Sequence, residues 1–268
     1  MIVAAGLIGY DRLDLEMSKK LPQKQLRQLF LDRGHMGLNK FLSERGVCSR
    51  READRLIGEG RVAVNGQTAQ LGQKLEDDDQ VTVDGRVVGD AAGEIFLAVN
   101  KPRGVVVTTD RSHGDRVLED LVNCGTRVFA VGRLDKESDG LILMTNNGEA
   151  SNRIQKARNL HEKEYIVTVD RAVTDAFLKA MGNGVYLEEL DRTTRPCRVE
   201  KAGRCCFHIV LTEGMNRQIR RMCEALGYKV TALRRIRIMN ILLGDLPAGA
   251  YRELSPEEVR ILKEQAGL

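Results

Sequence analysis

Apolar positions in the first third of the chain predict a small helical pair. Residues 38–42 place Leu, Phe and Leu at helical spacing, and Gly46 follows as a stop signal. Ser49 and Glu52 have the spacing of a capping box, in which each side chain satisfies the other residue's backbone N–H. We therefore predict a second helix that starts after Ser49 and ends near Gly58.

Two short strands should follow these helices. Residues 61–64 and 80–83 alternate between apolar and polar side chains, and the dipeptides Asn65-Gly66 and Asp84-Gly85 come directly after them. Asn-Gly and Asp-Gly are the preferred residues of tight hairpin turns. The polar, glycine-containing stretch 87–94 is then typical of a linker.

A larger segment begins at residue 95, with many strand patterns and few helical ones. The predicted strands are 95–99, 105–108, 128–131, 141–145, 165–169, 206–211 and 229–232. Helices are predicted near 148–157, 173–181 and 217–226, and Ser255-Pro256 starts a last one. This mixture predicts an α+β fold with a central antiparallel or mixed sheet.

Composition is that of a soluble globular protein with an aliphatic core. Of 268 residues, 42% are hydrophobic and 30% charged, Trp is absent, and aromatic residues make up 4%. The net charge of +4 fits a polyanionic partner without proving one. Cations concentrate between Arg217 and Arg237, where seven Lys or Arg face only Glu224.

The cysteines and histidines predict no metal site. The six cysteines form no C-x-x-C pair, and the four histidines have no ligand spacing relative to them. We expect reduced, buried thiols in a cytoplasmic protein. The apolar start of the chain lacks a positive leading region, so neither a signal peptide nor a membrane span is predicted.

The first helical pair carries cations suited to phosphate contacts, which are Lys40, Arg45, Arg50, Arg51 and Arg55. Glu44, Glu52, Asp54 and Glu59 are interleaved with them, so a solvated helix face of mixed charge explains the same pattern. As a whole, residues 38–85 resemble the S4 RNA-binding domain, through the successive segments Leu-Asn-Lys-Phe-Leu, Cys-Ser-Arg-Arg-Glu-Ala-Asp and Val-Ala-Val-Asn-Gly. That resemblance implies binding to structured RNA.

Asp135 lies between two apolar runs, 128–131 and 141–144, in a segment with a glycine at each end. A carboxylate on a loop between core strands is rigidly presented, as a nucleophile or general base requires. Spacing alone favours the alternative, a turn carboxylate beside Asp139-Gly140.

Three ordered segments resemble the RsuA-like family of pseudouridine synthases. They are Gly-Arg-Leu-Asp at 132–135 with Ser138 and Gly140-Leu141, Lys-Glu-Tyr-Ile-Val at 163–167, and Glu-Gly-Met-Asn-Arg-Gln-Ile-Arg-Arg-Met at 213–222. Together with the S4-like segment, the resemblance covers nearly all of residues 38–268. It implies domains at 37–86 (S4-like RNA-binding) and 95–268 (catalytic), joined by the linker 87–94 and preceded by a tail at 1–36.

The resemblance also implies catalytic roles for three residues and an isomerase reaction without cofactor or metal. Asp135 matches the essential aspartate, acting as nucleophile or base after the target uridine is flipped out of its stack. Tyr165 matches the tyrosine that stacks on the extracted base, and Arg220 the cation that pairs with the catalytic carboxylate, which would keep that carboxylate ionised. On the residues alone, Tyr165 could belong to an ordinary sheet, and the helix arginines could form a solvated face.

The similarity further implies an RNA partner and a monomer. Three segments, 47–54, 161–165 and 216–224, are most similar to the branch of large-subunit rRNA pseudouridine synthase F, which implies a 23S rRNA stem-loop as substrate and a tRNA anticodon loop as a second candidate. The small-subunit (16S) rRNA branch is the alternative, and a non-catalytic RNA-binding assembly factor is another. Arg133, Arg217 and Arg221 complete the expected RNA-contacting residues. A thiol- or metal-dependent hydrolase is not favoured, because no cysteine has a positioned base.

Overall fold

The computed structural model describes residues 36–89, 93–111, 114–156 and 159–268. The chain divides into two compact units, Met1–Ala91 and Ala92–Leu268. Except for Met36, the predicted tail lies outside the described residues, as do residues 90–92 of the predicted linker. Val87, placed by the prediction at the start of the linker, instead belongs to a strand of the first unit.

The first unit contains two helices and six short strands in its described part. Their bounds are β1 Met36–Gly37, α1 Leu38–Glu44, α2 Arg50–Gly58, β2 Val62–Val64, β3 Gln67–Thr68, β4 Lys74–Leu75, β5 Val81–Val83 and β6 Arg86–Val87. The order β3-β2-β5-β6 forms a four-stranded sheet, and β1 pairs with β4. Leu38, Leu42, Ala53 and Val62 are among the residues that form its core. Both predicted helices and both predicted strands of this unit are confirmed.

Local signals explain these elements, with one correction. Gly46 and Asn65-Gly66 adopt positive φ values, as the helix stop and the hairpin turn require. Ser49 accepts the N–H of Glu52, but the reciprocal half of the predicted capping box is replaced, because the Glu52 carboxylate accepts hydrogen bonds from Arg55. The helix is thus capped by Ser49 alone.

The second unit is built on a mixed sheet whose main strands are long. Their bounds are β7 Phe96–Lys101, β8 Phe129–Val131, β9 Asp139–Thr145, β10 Lys163–Val169, β11 Tyr186–Leu187, β12 Arg192–Thr193, β13 Arg198–Gly203, β14 Cys206–Leu211, β15 Val230–Ile238, β16 Ile241–Leu242 and β17 Tyr251–Glu253. Nine of them form one sheet with the order β13-β14-β10-β15-β9-β7-β17, in which β8 also pairs with β9 and β16 with β15. The pair β9 and β15 is parallel, whereas the other pairs described in this sheet are antiparallel. The predicted α+β fold with a mixed sheet is confirmed.

In the described residues of the second unit, four α-helices accompany this sheet. They are α3 Gly148–Gln155, α4 Asp175–Gly182, α5 Gln218–Ala225 and α6 Pro256–Ala266. Ser255 caps α6 with a full capping box and Pro256 in its first turn, as predicted. The apolar side of α5 packs into a cluster with Tyr165, Val167 and Phe207, whereas β7, β9, α3 and α6 contribute to another around Leu141 and Leu262.

One predicted strand is wrong. Residues 105–108 make no ladder, and Val106 forms only an isolated bridge with Val117. Gly104 turns the chain at φ 86°, and the buried Lys101 ammonium binds the Val105 carbonyl, which removes that group from strand pairing. No disulfide joins the six cysteines, and Cys223 is buried while the other five are half-buried, so the expectation of buried thiols holds for Cys223 alone.

Candidate active site

Asp135 lies in the loop between β8 and β9, and backbone contacts hold this loop on several sides. The Ser138 N–H donates to the Asp135 carbonyl at 3.0 Å, and the Gly104 N–H donates to the Lys136 carbonyl at 2.8 Å. Ser138 is fully buried. The carboxylate is therefore presented from a fixed loop, as the sequence predicts.

Gly140 allows the loop to enter β9 against a neighbouring strand. Its φ is 104°, and a Cβ atom at this position would lie 2.3 Å from the Arg235 carbonyl oxygen. A side chain is excluded there because the neighbour is backbone that cannot turn away. The close approach of β15 to the Asp135 loop thus depends on glycine.

Asp135 opens onto a cleft of about 340 Å³, within the range of small-ligand sites. The loop 132–135, the beginning of β10, the segment 213–219 and part of β15 line it. Among its charged or aromatic lining residues are Arg133, Asp135, Lys163, Tyr165, Glu213, Arg217 and Arg235. The structure thus brings together Asp135, Tyr165, Arg133 and Arg217 of the sequence-predicted site residues.

Arg217 is the cation that lies at ion-pair distance from Asp135 in the described residues. Its Nη1 is 3.9 Å from Asp135 Oδ2. Arg217 precedes α5 with φ 52°, a left-handed conformation uncommon for a residue with a side chain. This bend places its guanidinium at the cleft, beside the Asp135 carboxylate.

The prediction that Arg220 pairs with the Asp135 carboxylate is not met by the geometry. Arg220 lies one turn inside α5, and its Nη2 donates to the Glu137 carbonyl at 3.2 Å and to Ser138 Oγ at 3.3 Å. Burial, followed by the Arg217 charge, lowers the pKa of Arg220, while the Asp135 charge opposes this change. Arg220 therefore binds the loop that carries Asp135 and acts on the Asp135 carboxylate only over a longer distance.

Tyr165 forms an aromatic wall of the cleft. Its side chain belongs to the core around α5 and is nearly buried, and the Arg235 guanidinium carbon lies 6.0 Å from its ring centroid. An aromatic face that borders a cleft can stack on a planar base. Its position fits the predicted stacking role.

The sequence did not predict two lysines near this loop, of which Lys101 is buried and Lys163 is half-buried. The Lys101 ammonium donates to the carbonyls of Pro102 and Val105, and burial lowers the pKa of Lys101 to about 8. Lys163 lines the cleft and donates to the His161 carbonyl at 3.1 Å, and burial together with the Arg235 charge lowers its pKa to about 8. The signal for Lys163 was available, since it lies two residues before Tyr165 and strand alternation puts both on one face.

Glu213 organises the segment that carries Arg217. This carboxylate is 4% exposed, and its Oε1 accepts from the Arg195 N–H and from Gln218 Nε2, both at 2.9 Å. Gln218 Oε1 in turn accepts the Met215 N–H at 3.0 Å. These bonds fix the turn between β14 and α5.

The predicted basic concentration between Arg217 and Arg237 does not form one surface. Arg221 pairs with Glu189, Arg234 with Asp139, and Arg237 with Glu162 and Glu164. Arg235 is 4% exposed. Arg133 and Arg217 remain as exposed cations at the cleft.

In the first unit, acidic neighbours balance two of the five predicted RNA-contacting cations. Arg55 pairs with Glu52 and Glu59, and Lys40 with Glu44. The Arg45 guanidinium lies 4.9 Å from the Phe41 ring centroid and also donates to the Gly89 carbonyl, and Arg50 donates to Asn39 at 3.4 Å. Arg51 is exposed, and no ion pair is found for it within the described residues.

Neither a metal centre nor a bilayer-crossing helix occurs in the part of the chain that the structure describes. No three His, Cys, Asp or Glu side chains are grouped there so that they could hold a metal ion. No described helix is both long and apolar enough to cross a membrane.

Comparison with known proteins places both units in families. Residues 95–225 match the family model of RNA pseudouridylate synthase, and residues 36–81 match that of the S4 domain. The chain is 48% identical over 224 residues to the dual-specificity RNA pseudouridine synthase RluF of Salmonella typhi, covering 83% of this chain and 76% of that protein.

More distant relatives agree with this assignment. The ribosomal large subunit pseudouridine synthase B of Bacillus subtilis (strain 168) is 35% identical, with 85% of this chain and 96% of that protein covered. A solved structure described as a pseudouridylate synthase superposes with a TM-score of 0.63 at 28% identity, covering 85% of this chain and 99% of the other. The chain therefore belongs to the RNA pseudouridylate synthase family, and it is an RNA-modifying isomerase that carries an N-terminal S4 domain.

Proposed function

We propose that this chain converts a specific uridine of 23S rRNA to pseudouridine, with a tRNA anticodon loop as a second substrate, and that Asp135 is the nucleophile or base. The observation that carries the role of Asp135 is its position, where the carboxylate faces a nucleotide-sized cleft beside Arg217 and opposite Tyr165. The choice of RNA is supported by the relatives named for dual RNA specificity and for the large ribosomal subunit.

The cleft suits a flipped nucleotide. A uridine in structured RNA must leave its stack before its glycosidic bond can be reached. Tyr165 offers a ring face to the base, while Arg133 and Arg217 at the cleft provide charge for the backbone phosphates. Arg220 holds the Glu137 carbonyl and Ser138, so we assign it the positioning of the Asp135 loop.

Release of tritium from RNA labelled at C5 of uridine tests the role of Asp135. We expect Asp135→Asn to abolish release, because the amide can neither attack nor accept the proton. Glu137→Gln is the matched control, since Glu137 lies in the same loop with a largely exposed side chain. Release from Asp135→Asn at the wild-type rate would contradict a catalytic role of Asp135. Absence of release from both wild type and Asp135→Asn would also contradict it and would favour a non-catalytic RNA-binding factor.

The RNA target needs a separate measurement. Pseudouridines mapped in 23S, 16S and transfer RNA from a deletion strain should show one missing 23S site that the wild-type gene restores and the Asp135→Asn variant does not. A missing site in 16S rRNA alone would replace the proposed target and leave the chemistry unchanged. That the chain acts as a monomer stays a prediction, which light scattering would test.

A further inference from the structure

We propose that Lys163 and Arg235 form a cationic floor of the cleft, which stabilises the negative charge that develops on the carbonyl oxygens of the uracil ring during isomerisation. This gives the reaction two catalytic side chains besides Asp135. The inference uses the pseudouridine synthase activity of the family and does not depend on which RNA is modified.

Strand alternation directs Lys163 into the cleft. Lys163, Tyr165 and Val167 occupy alternate positions of β10, and the first two line the cleft together with Asp135. The Lys163 ammonium is held by a backbone carbonyl, that of His161. Within the described residues no carboxylate forms an ion pair with Lys163, so its charge is not neutralised inside the protein.

A β-bulge directs Arg235 to the same face. Between β10 and β15, Glu164 pairs with Arg237 and Tyr165 with Arg235, so that Ile236 is the extra residue. Without the bulge Ile236 would lie opposite Tyr165, because side chains alternate along a strand. The bulge thus exchanges an isoleucine for an arginine at the floor of the cleft.

The Arg235 guanidinium has an unused donor. Its Nε donates to the Leu141 carbonyl at 2.6 Å, but its Nη2 is buried without a hydrogen-bond partner. A buried, unsatisfied charged donor is costly to a folded protein. A substrate oxygen that enters the cleft would satisfy it.

The chemistry explains why such donors belong at the floor. When the N1–C1′ bond breaks, its electron pair stays on the base and spreads over O2 and O4, while C1′ is taken up by the Asp135 carboxylate or loses a proton from the neighbouring carbon. C5 then forms the new bond to C1′, either as the bond between C1′ and the Asp135 carboxylate breaks or as the neighbouring carbon regains its proton. The C5 proton leaves and N1 gains a proton, so no oxidant is needed. If Asp135 instead adds to C6 of the base, the displaced electrons likewise collect on O4.

Burial separates this role from phosphate binding. Arg133 and Arg217 are exposed and suited to the backbone of the RNA, whereas Arg235 is 4% exposed and Lys163 is largely buried. Donors placed in advance where charge develops, and shielded from water, are effective stabilisers of a transition state. Phosphate binding by Lys163 is the competing explanation.

Single-turnover tritium release separates these two roles. The substrate is RNA from a deletion strain grown on uridine labelled at C5, which contains the target whichever RNA it is. With enzyme in excess, Lys163→Met should slow release about 100-fold, as loss of one such donor does, while the Kd for the same RNA changes less than about threefold. Lys163→Arg should keep at least about a tenth of the rate, and Lys201→Met, an exposed lysine on β13, should behave as wild type.

The pH profile is a readout that a purely structural role would not move. The wild-type rate should fall as pH rises through about 8, since burial lowers the pKa of Lys163 to about that value. The other charged side chains that line the cleft are Arg133, Asp135, Glu213, Arg217 and Arg235. Lys163→Arg changes none of these, so it should retain its rate above pH 8.

Three results would overturn the proposal. They are a Lys163→Met rate within threefold of wild type, a defect that lies in Kd rather than in the rate, and the same alkaline fall in Lys163→Arg. Arg235→Met should show a loss like that of Lys163→Met. If that variant fails to fold, the Lys163 series still decides the outcome.

Discussion

Cations of the two units are held in opposite ways. In α2 of the first unit, Arg55 is half exposed and lies between Glu52 and Glu59, one turn away on either side. In the cleft of the second unit, Arg235 and Lys163 are held by backbone carbonyls, with no carboxylate partner in the described residues. Surface pairs contribute little and are screened by salt. The difference indicates that charge in the cleft is kept available for a substrate, whereas on the helices much of it is already balanced.

Gly140→Ala should have the largest effect. The cleft depends on the close packing of Gly140 against β15, whereas the helices of the first unit depend on no tertiary contact of this kind. The added Cβ would meet the Arg235 backbone and force a φ of 104° on a residue with a side chain. We expect the free energy of unfolding to fall by about 3 kcal/mol and activity to fall at least 100-fold. Urea denaturation and tritium release measure both.

Gly148→Ala is the control for that change, since a Cβ at this position would meet no atom within 4 Å beyond its own helix and chain neighbours, and its φ is ordinary. It should leave stability and activity near wild type. Equal losses in the two variants would show that the approach of β15 to the loop is unimportant.

Glu213→Ala should have the next largest effect. The Glu213 carboxylate accepts buried hydrogen bonds, whereas those of Glu52 and Glu59 lie at the surface. The Arg195 N–H and Gln218 Nε2 would lose their acceptor. We expect a loss of about 2 kcal/mol in the free energy of unfolding, measured in urea. Glu213→Gln keeps one acceptor oxygen and should lose less than half as much; an equal loss would assign the effect to charge rather than to these bonds.

Lys101→Met should flatten the dependence of stability on pH. Burial lowers the pKa of Lys101 to about 8, so between pH 8 and about 10.5 the folded protein has lost a proton that the unfolded chain still holds. In wild type this contribution makes the free energy of unfolding rise with pH in that window, by at most about 1.4 kcal/mol per pH unit. Below pH 8 the full cost of burying the charge is present.

Urea titrations at pH 7, 8, 9 and 10 measure this contribution as the difference between wild type and Lys101→Met. Taking this difference cancels the contribution of other groups that titrate in the same pH range. One of them is Cys197, whose pKa is raised by burial to about 11. A constant difference across the series would be inconsistent with a buried ammonium at this position.

The smallest effect is expected on RNA binding, where substitutions of two arginines of α2 should differ. Arg51→Ala should weaken RNA binding a few fold and lower the salt dependence of log Kd by about one, as loss of one phosphate contact does. Arg55→Ala should change binding less, because Glu52 and Glu59 already balance its charge. Filter binding at several salt concentrations compares them, and a stronger effect at Arg55 would reverse the comparison.

Local signals predicted most of the first unit. Ser49 caps α2, Gly46 ends the turn after α1, and Asn65-Gly66 closes a hairpin, each through contacts within a few residues. The helices of the second unit were predicted for the same reason. The exposed edge strand β13 was missed, because most of its side chains are polar or charged and carry no apolar alternation.

The site was harder to predict where it depends on tertiary register. The sequence identified Asp135 and Tyr165, and both reach the cleft. It ended β15 at residue 232, because arginines interrupt the apolar pattern where the strand in fact continues to Ile238. The bulge that turns Arg235 inward, and the left-handed Arg217 that takes the predicted place of Arg220 beside Asp135, depend on strand pairing and packing and have no local signal.

The parallel pairing of β9 with β15 builds the active site from parts of the chain that are far apart in the sequence. Arg234 and Asp139, joined across this pair, are 95 positions apart in the chain, and the strands on either side of the pair belong to separate apolar clusters. Contacts between distant parts of a chain tend to form slowly, and such junctions can open locally without global unfolding. Opening of this junction would separate Asp135 from the cations of β15 and would stop catalysis without unfolding of the whole protein.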